Sequence, residues 1–295
     1  MKTSNVLMIR YSKDWRAVLA VFLILSWPGA GSSALADSIV LFTASTDYTG
    51  NVPNGGYSYP NDPTNQNPYI PSISNGVTLS QASGGLSNTT VGPLPDGSTY
   101  GPTGFNGNAG GTTGWVTASY TFAAAGCYQL IYEVANVIDC QGASALATDN
   151  ITLNGNKIVQ FQPGGLLPTG YSGLGNFGTS AGVTGLPTSG GDPGFAWLDV
   201  QPPPANTNVA PIFDTVDGYS ASRLYSAEIM VNTGDTLSVD VAFMTNDGSP
   251  FNDYGVVALN SCPEPSSIVL ATVGMCGVVV LAARRGAWSK RPLLS

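Results

Sequence analysis

Apolar and polar residues alternate most regularly over residues 116–122, where Val116, Ala118, Tyr120 and Phe122 are separated by Thr117, Ser119 and Thr121. A period of two belongs to a strand with one buried face, so a strand is predicted there. After a turn at Ala125-Gly126 the alternation resumes through Tyr128, Leu130, Tyr132 and Val134. Farther on, residues 151–153 and 157–161 flank Asn154-Gly155. Both central residues of a tight hairpin turn need positive φ, which Asn and Gly tolerate, so this dipeptide predicts a hairpin. Other strands are expected at 38–43, 224–231, 236–244 and 254–259. Residues 50–114 and 163–219 are Gly/Pro/Asn-rich mosaics and read as long loops. Short edge strands are expected inside the first, whose apolar interruptions fall at 77–79 and 89–91.

Two stretches look alike. Residues 132–139 lead through a polar loop to 148–154, and 239–247 lead through another to 252–260. Each reads as strand, Asp-bearing loop, Asp or Asn, strand, Asn. Two equivalent strand pairs predict an all-β, two-sheet jelly-roll-like sandwich with long Gly/Pro/Asn-rich loops. The cysteines bear on this arrangement. One strand over 128–138 would hold Cys127 and Cys140 roughly 40 Å apart, beyond disulfide reach. If the strand pairs are equivalent, Cys262 shares an end of the sandwich with Cys127. Cys127–Cys262 is then the favoured pairing, with unpaired core cysteines as the alternative.

The chain ends differ from this body. Lys2, Arg10, Lys13 and Arg16 precede an apolar core at 17–27, and Ala34-Leu35-Ala36 supplies a small-x-small site. Residues 1–36 therefore read as a signal peptide cleaved after Ala36. At the other end, Pro263-Glu264-Pro265 precedes an apolar run at 268–283, then Arg284, Arg285, Lys290 and Arg291. Eight of the ten Lys and Arg flank these two apolar segments. Basic flanks stay on the cytoplasmic side, which places the 37–261 body on the far side. Residues 37–262 carry sixteen acids against two bases, Lys157 and Arg223, a net charge near -14. Neither nucleic acid nor an anionic membrane surface suits such a body, whereas cations or neutral polysaccharide do.

The tail resembles a PEP-CTERM sorting signal, the bacterial element processed by exosortase-type transpeptidases. Pro263, Glu264 and Pro265 match its short motif, 268–283 its transmembrane helix, and Arg284 with Arg285 its basic cluster. The 262–295 tail departs from the pattern in its length after the basic cluster and in Cys276. The resemblance implies an exported protein anchored in the membrane through this tail until processing. It then implies cell-surface or extracellular residence, often with exopolysaccharide.

Chemistry in the body is sparse. The chain has no histidine, which removes Ser-His-Asp and Cys-His catalysis and histidine-based zinc sites. Glu133, between Ile131 and Ala135, reads as facing solvent, and Lys157 as a solvated turn residue. No carboxylate pair stands out for glycoside hydrolysis. The protein therefore reads as no enzyme and needs no cofactor, with calcium the one ion its acidic loops suit. Asp139, Asp149 and Asn150 around one loop, and Asp247, Asn252 and Asp253 around the other, are ligand types for calcium. The plainer reading is that Asp and Asn mark turns there. Loop aromatics such as Tyr100, Tyr171, Phe177 and Phe195 would either stack on sugars or pin the loops down. The sum is a non-catalytic structural, adhesive or matrix component, with a carbohydrate-binding module second and a glycan hydrolase third.

Overall fold

The computed structural model describes residues 38–45, 71–80, 86–87, 89–101, 110–137, 143–164, 166–200, 209, 212–213, 218–246 and 253–262. Strands, turns and bends account for their regular structure, with no helix among them. Two antiparallel sheets hold the strands. In the first, β1 (Ile39–Ser45), β14 (Tyr254–Ser261), β5 (Gly126–Val137), β11 (Gly218–Tyr225) and β8 (Ser172–Leu174) lie side by side in that order. A short β12 (Ile229–Val231) continues along β5 where β11 stops. In the second sheet the order is β2 (Val77–Leu79), β4 (Val116–Thr121), β13 (Thr236–Thr245), β6 (Ser144–Leu153), β10 (Phe195–Val200) and β9 (Asn176–Ser180). Two small strands, β3 (Gly111–Thr112) on β13 and β7 (Asn156–Lys157) on β6, complete it.

The two strand pairs seen in the sequence occupy matching places. The chain passes from β5 in the first sheet to β6 in the second, and from β13 in the second to β14 in the first. β5 neighbours β14 and β6 neighbours β13. The β6–β7 hairpin turns on Asn154 (φ 53°) and Gly155 (φ 75°), the positive-φ pair that the turn requires.

Leu130, Tyr132, Val134, Val257 and Leu259 of the first sheet share one apolar core with Leu146, Ile151, Leu198, Val239 and Phe243 of the second. Gly255 sets the closeness of the layers. A Cβ there would come within 2.8 Å of the Phe243 ring and 2.9 Å of Leu146, so only glycine fits. The outer face of the second sheet is covered as well. Ala145, Ala147 and Ala242 form a flat floor beneath a second cluster that includes Val91, Leu94, Tyr100, Leu186 and Trp197.

That double covering explains the largest departure from the sequence reading. The mosaic at 163–219 holds β8, β9 and β10, and β10 is buried at all six positions inside the second sheet. A strand buried on both faces shows no alternation, so the pattern hid it. The strand expected at 224–231 is broken in two. Ser226 fills the gap: its N–H donates to the Leu130 carbonyl at 2.9 Å, and its hydroxyl accepts from the Leu130 N–H at 2.9 Å. Within the first mosaic β2 forms at 77–79, whereas Val91 makes only an isolated bridge with Tyr100.

Glu133 does not face solvent. It is fully buried on the outer face of the first sheet, opposite Arg223 on β11 and Val256 on β14. Arg223 donates from Nε (2.8 Å) and Nη2 (2.5 Å) to Glu133 Oε2, and the Tyr254 hydroxyl donates to Oε1 at 2.8 Å. The backbone N–H groups of Ile212 (3.0 Å) and Phe213 (3.1 Å) donate to the same carboxylate. A buried charge needs this many partners, because its hydration is gone. The carboxylate thus ties β5, β11, β14 and residues 212–213 together. Removing one partner of a buried ion pair strands the other, at about 3–5 kcal/mol. Arg223→Leu should therefore lower unfolding free energy in urea by that order, with Glu133→Gln added to Arg223→Leu recovering part of it. A change below about 1 kcal/mol for the single variant would show that the pair is not a structural tie.

Candidate functional site

The tail motif residues Pro263, Glu264, Pro265, Arg284 and Arg285, the apolar run 268–283 and the leader 1–36 all lie outside the described residues. Among the described residues no helix is long and apolar enough to cross a membrane. The root of the tail is described. Cys262 follows β14 and is joined to Cys127 at the start of β5 by a disulfide with Cα atoms 5.3 Å apart. The antiparallel register that sets Ser261 opposite Tyr128 carries the two cysteines to the same end, and the Cys262 N–H donates to the Cys127 carbonyl at 2.9 Å. Ser38, the first described residue, is at this end too, its hydroxyl donating to Asn260 Oδ1 at 2.5 Å. Cys140 and Cys276 lie outside the described residues.

A Glu228 carboxylate oxygen lies within 4.8 Å of both disulfide sulfurs. Cys127, Glu228 and Cys262 form the one group of three metal-capable side chains that converges so closely among the described residues. With both sulfurs in a disulfide there is no thiolate to bind a metal.

Of the six calcium candidates, Asp139, Asp247 and Asn252 lie outside the described residues. The other three do not meet. Asp253 accepts from the Ser144 hydroxyl at 2.6 Å, at the start of β6. Asp149 and Asn150 lie five and six residues along that strand, roughly 17–20 Å away. Asp149 instead faces residues that the sequence did not point to. It is fully buried opposite Asp240 of β13 and accepts from the N–H groups of Asn150 (2.8 Å) and Ser189 (2.7 Å). Asp240 accepts from the Thr117 hydroxyl (2.6 Å), Asn150 Nδ2 (3.0 Å) and the Ser189 hydroxyl. Asp192 takes Lys157 Nζ at 2.6 Å and stands near enough to Asp149 to act on its charge. Lys157 is therefore no free turn lysine; it neutralises a buried carboxylate. Period two would have put Asp240 on the face of Ala242 and Met244, but nothing local marked Asp192 or Ser189.

A buried carboxyl with a second carboxylate nearby pays for its charge twice, in lost hydration and in repulsion. Burial first, then the Asp192 carboxylate beside it, push Asp149 up to about 7 despite the two N–H donors. Burial thus favours the neutral form of Asp149, while Lys157 pairs with Asp192.

A second carboxyl pair lies on the same sheet face. Asp199 of β10 is fully buried and accepts from the Tyr100 hydroxyl at 2.9 Å and Asn176 Nδ2 at 2.5 Å. Asn176 also donates to Asp96 at 3.1 Å, and the Ser98 hydroxyl to Asp96 at 2.6 Å. Burial draws Asp96 upward, but hydrogen bonds from Asp199, Ser98 and Asn176 outweigh it and hold its carboxyl below the ordinary value. Burial and the Asp199 charge push the Tyr100 phenol well above its usual range, so it remains a donor. Asp96 and Asp199 are in hydrogen-bonding contact, whereas glycoside hydrolysis sets its two carboxyls about 5 Å or more apart. These are cross-links between strands and loops.

The loop aromatics within the described residues turn inward. Tyr100 and Phe195 are buried. Tyr171 stacks edge-on against Phe161 at 5.7 Å, and Phe177 packs on the main core. An open groove of about 440 Å³ runs between β12 and residues 158–160, floored by Leu153, Tyr171 and Ile229, with Glu228 and Met230 on its side. No protein-family model matches the chain, and no curated protein is significantly similar to it.

The Asp149 pair has a consequence for stability. Below about pH 4 the folded and unfolded states both hold the Asp149 proton. As pH rises toward 7 the unfolded carboxyl releases it while the folded one keeps it, so the native state loses ground over that window and levels off above it. Urea midpoints measured from pH 5 to pH 8 should fall, and Asp149→Asn should remove most of that slope. A profile unchanged by the substitution would rule out the raised Asp149 carboxyl.

Proposed function

We propose that the chain is an exported, non-catalytic component of the cell envelope or extracellular matrix. Residues 1–36 act as a signal peptide and 37–261 form a jelly-roll-like body. Residues 262–295 form a PEP-CTERM-type sorting tail whose 268–283 segment spans the membrane until an exosortase-type enzyme processes it. The observation that carries this reading is the disulfide at the root of the tail. Cys127–Cys262 persists only in an oxidising compartment, and it joins the last strand to the centre of the sheet where an anchored body would be held. The absence of histidine and the inward-turned aromatics, Tyr100 and Tyr171, favour a structural role over catalysis. The low count of cations in the body suits an uncharged polysaccharide matrix as its surroundings.

Fractionation of cells making the full chain, or a chain ending at Cys262, tests this directly. The full chain should appear in the envelope or at the surface without its leader, and the shortened one in soluble exported form. Full-length protein soluble in the cytosol, both ends intact and thiols free, would refute the proposal.

A further inference from the structure

Four large apolar side chains stand exposed among the described residues: Leu166 (94%), Met230 (70%), Leu174 (48%) and Ile158 (42%). Two of them meet at the groove, and the other two lie close in sequence to residues that line it. Ile158 and Met230 line the groove, Leu166 lies two residues before its Pro168, and Leu174 three residues after its Tyr171. The strand beside the groove has an open edge. β12 pairs with β5 on one side, and β8 reaches only Arg223–Tyr225 of β11, so no described strand covers the outer edge of residues 229–231. An apolar trough beside an unpaired strand edge is the setting in which an extended segment adds as a further strand.

The root of the tail sits at this trough. Met230 is the register partner of Cys127, and Cys127 is bonded to Cys262 with their Cα atoms 5.3 Å apart. Cys262 therefore lies only about 10 Å from Met230 across β5. Glu228, which lines the groove, has a carboxylate oxygen within 4.8 Å of both sulfurs of the same disulfide. Thirty-three residues follow Cys262, and the apolar run 268–283 begins six residues on. Six extended residues reach roughly 20 Å, ample to turn back into the groove.

The geometry points to the groove as a seat for the chain's own tail, taken by the first residues of its apolar run, Ile268, Val269 and Leu270, before the run meets a membrane. Docking there removes two exposed apolar surfaces from water at once. The tether holds the segment at an effective concentration near the millimolar range, which a free partner would not match. A second copy is the poorer occupant, because two bodies of net charge near -14 repel each other. The volume, about 440 Å³, admits a short stretch of side chains and not the whole run. The bilayer therefore offers the run more burial than the groove, and the tail leaves on insertion. The seat keeps the run from aggregating in the interval. It does not depend on the tail being a sorting signal.

Photo-crosslinking on the full chain, made by cell-free synthesis in oxidising buffer without membranes or detergent, tests the seat. Met230→p-benzoylphenylalanine should link within one chain to the peptide bearing 268–270, at least about tenfold above Thr78→p-benzoylphenylalanine, an exposed site on the other sheet. Adding Ile268→Asp and Leu270→Asp should abolish the link while leaving the Thr78 background unchanged. Links from position 230 to a second chain or to the leader, or a yield no higher than at Thr78, would overturn the inference.

Discussion

The antiparallel pairing of β5 with β14 is the contact on which the rest of the molecule depends. It joins residues more than a hundred positions apart, and its register decides three things together. It sets Val256 beside Glu133 and brings the Tyr254 hydroxyl onto the same carboxylate. It aligns Val257 and Leu259 with Tyr132 and Leu130 on the inner face. It also delivers Cys262 to Cys127, where the disulfide closes a separation of 135 residues. A slip of one residue would turn the buried glutamate into the core and separate the cysteines.

Scarcity of cations shapes the remainder. The body has two, and each neutralises a buried carboxylate: Arg223 on Glu133 and Lys157 on Asp192. Other buried acids, Asp149 among them, are held by hydroxyls, amides and backbone N–H groups. These clusters fasten the described parts of the connectors, residues 96–100, 189–192 and 212–213 among them, onto the sheets. A surface built this way presents few positive charges.

Much of the strand framework was legible in the sequence because one-sided burial leaves a period of two. β4, β5 and the Asn154-Gly155 hairpin are of this kind, and the likeness between 132–154 and 239–260 pointed to two equivalent strand pairs with Cys127 and Cys262 at one end. What stayed hidden has a common cause. β10 is covered on both faces, so Phe195 to Val200 carries no alternation. Glu133 occupies a position that alternation assigns to solvent, and Arg223, Tyr254 and residues 212–213, all distant in sequence, hold its buried carboxylate. The Asp149 contacts likewise depend on Asp192 and Ser189 from a remote loop. Six calcium candidates chosen from two loops did not reveal that Asp149 faces Asp240 and Asp253 faces Ser144.

The fold and the root of the tail together describe a stiff body whose last strand is stapled to its central one, with an apolar tail leaving from the staple. Peptide mapping of the protein made from the full-length gene, under non-reducing conditions and with free thiols blocked beforehand, tests that description most directly. The account predicts a peptide containing Cys127 covalently joined to one containing Cys262, with Cys140 outside the link. A link through Cys140, or free thiols at both Cys127 and Cys262, would contradict the register and the compartment alike.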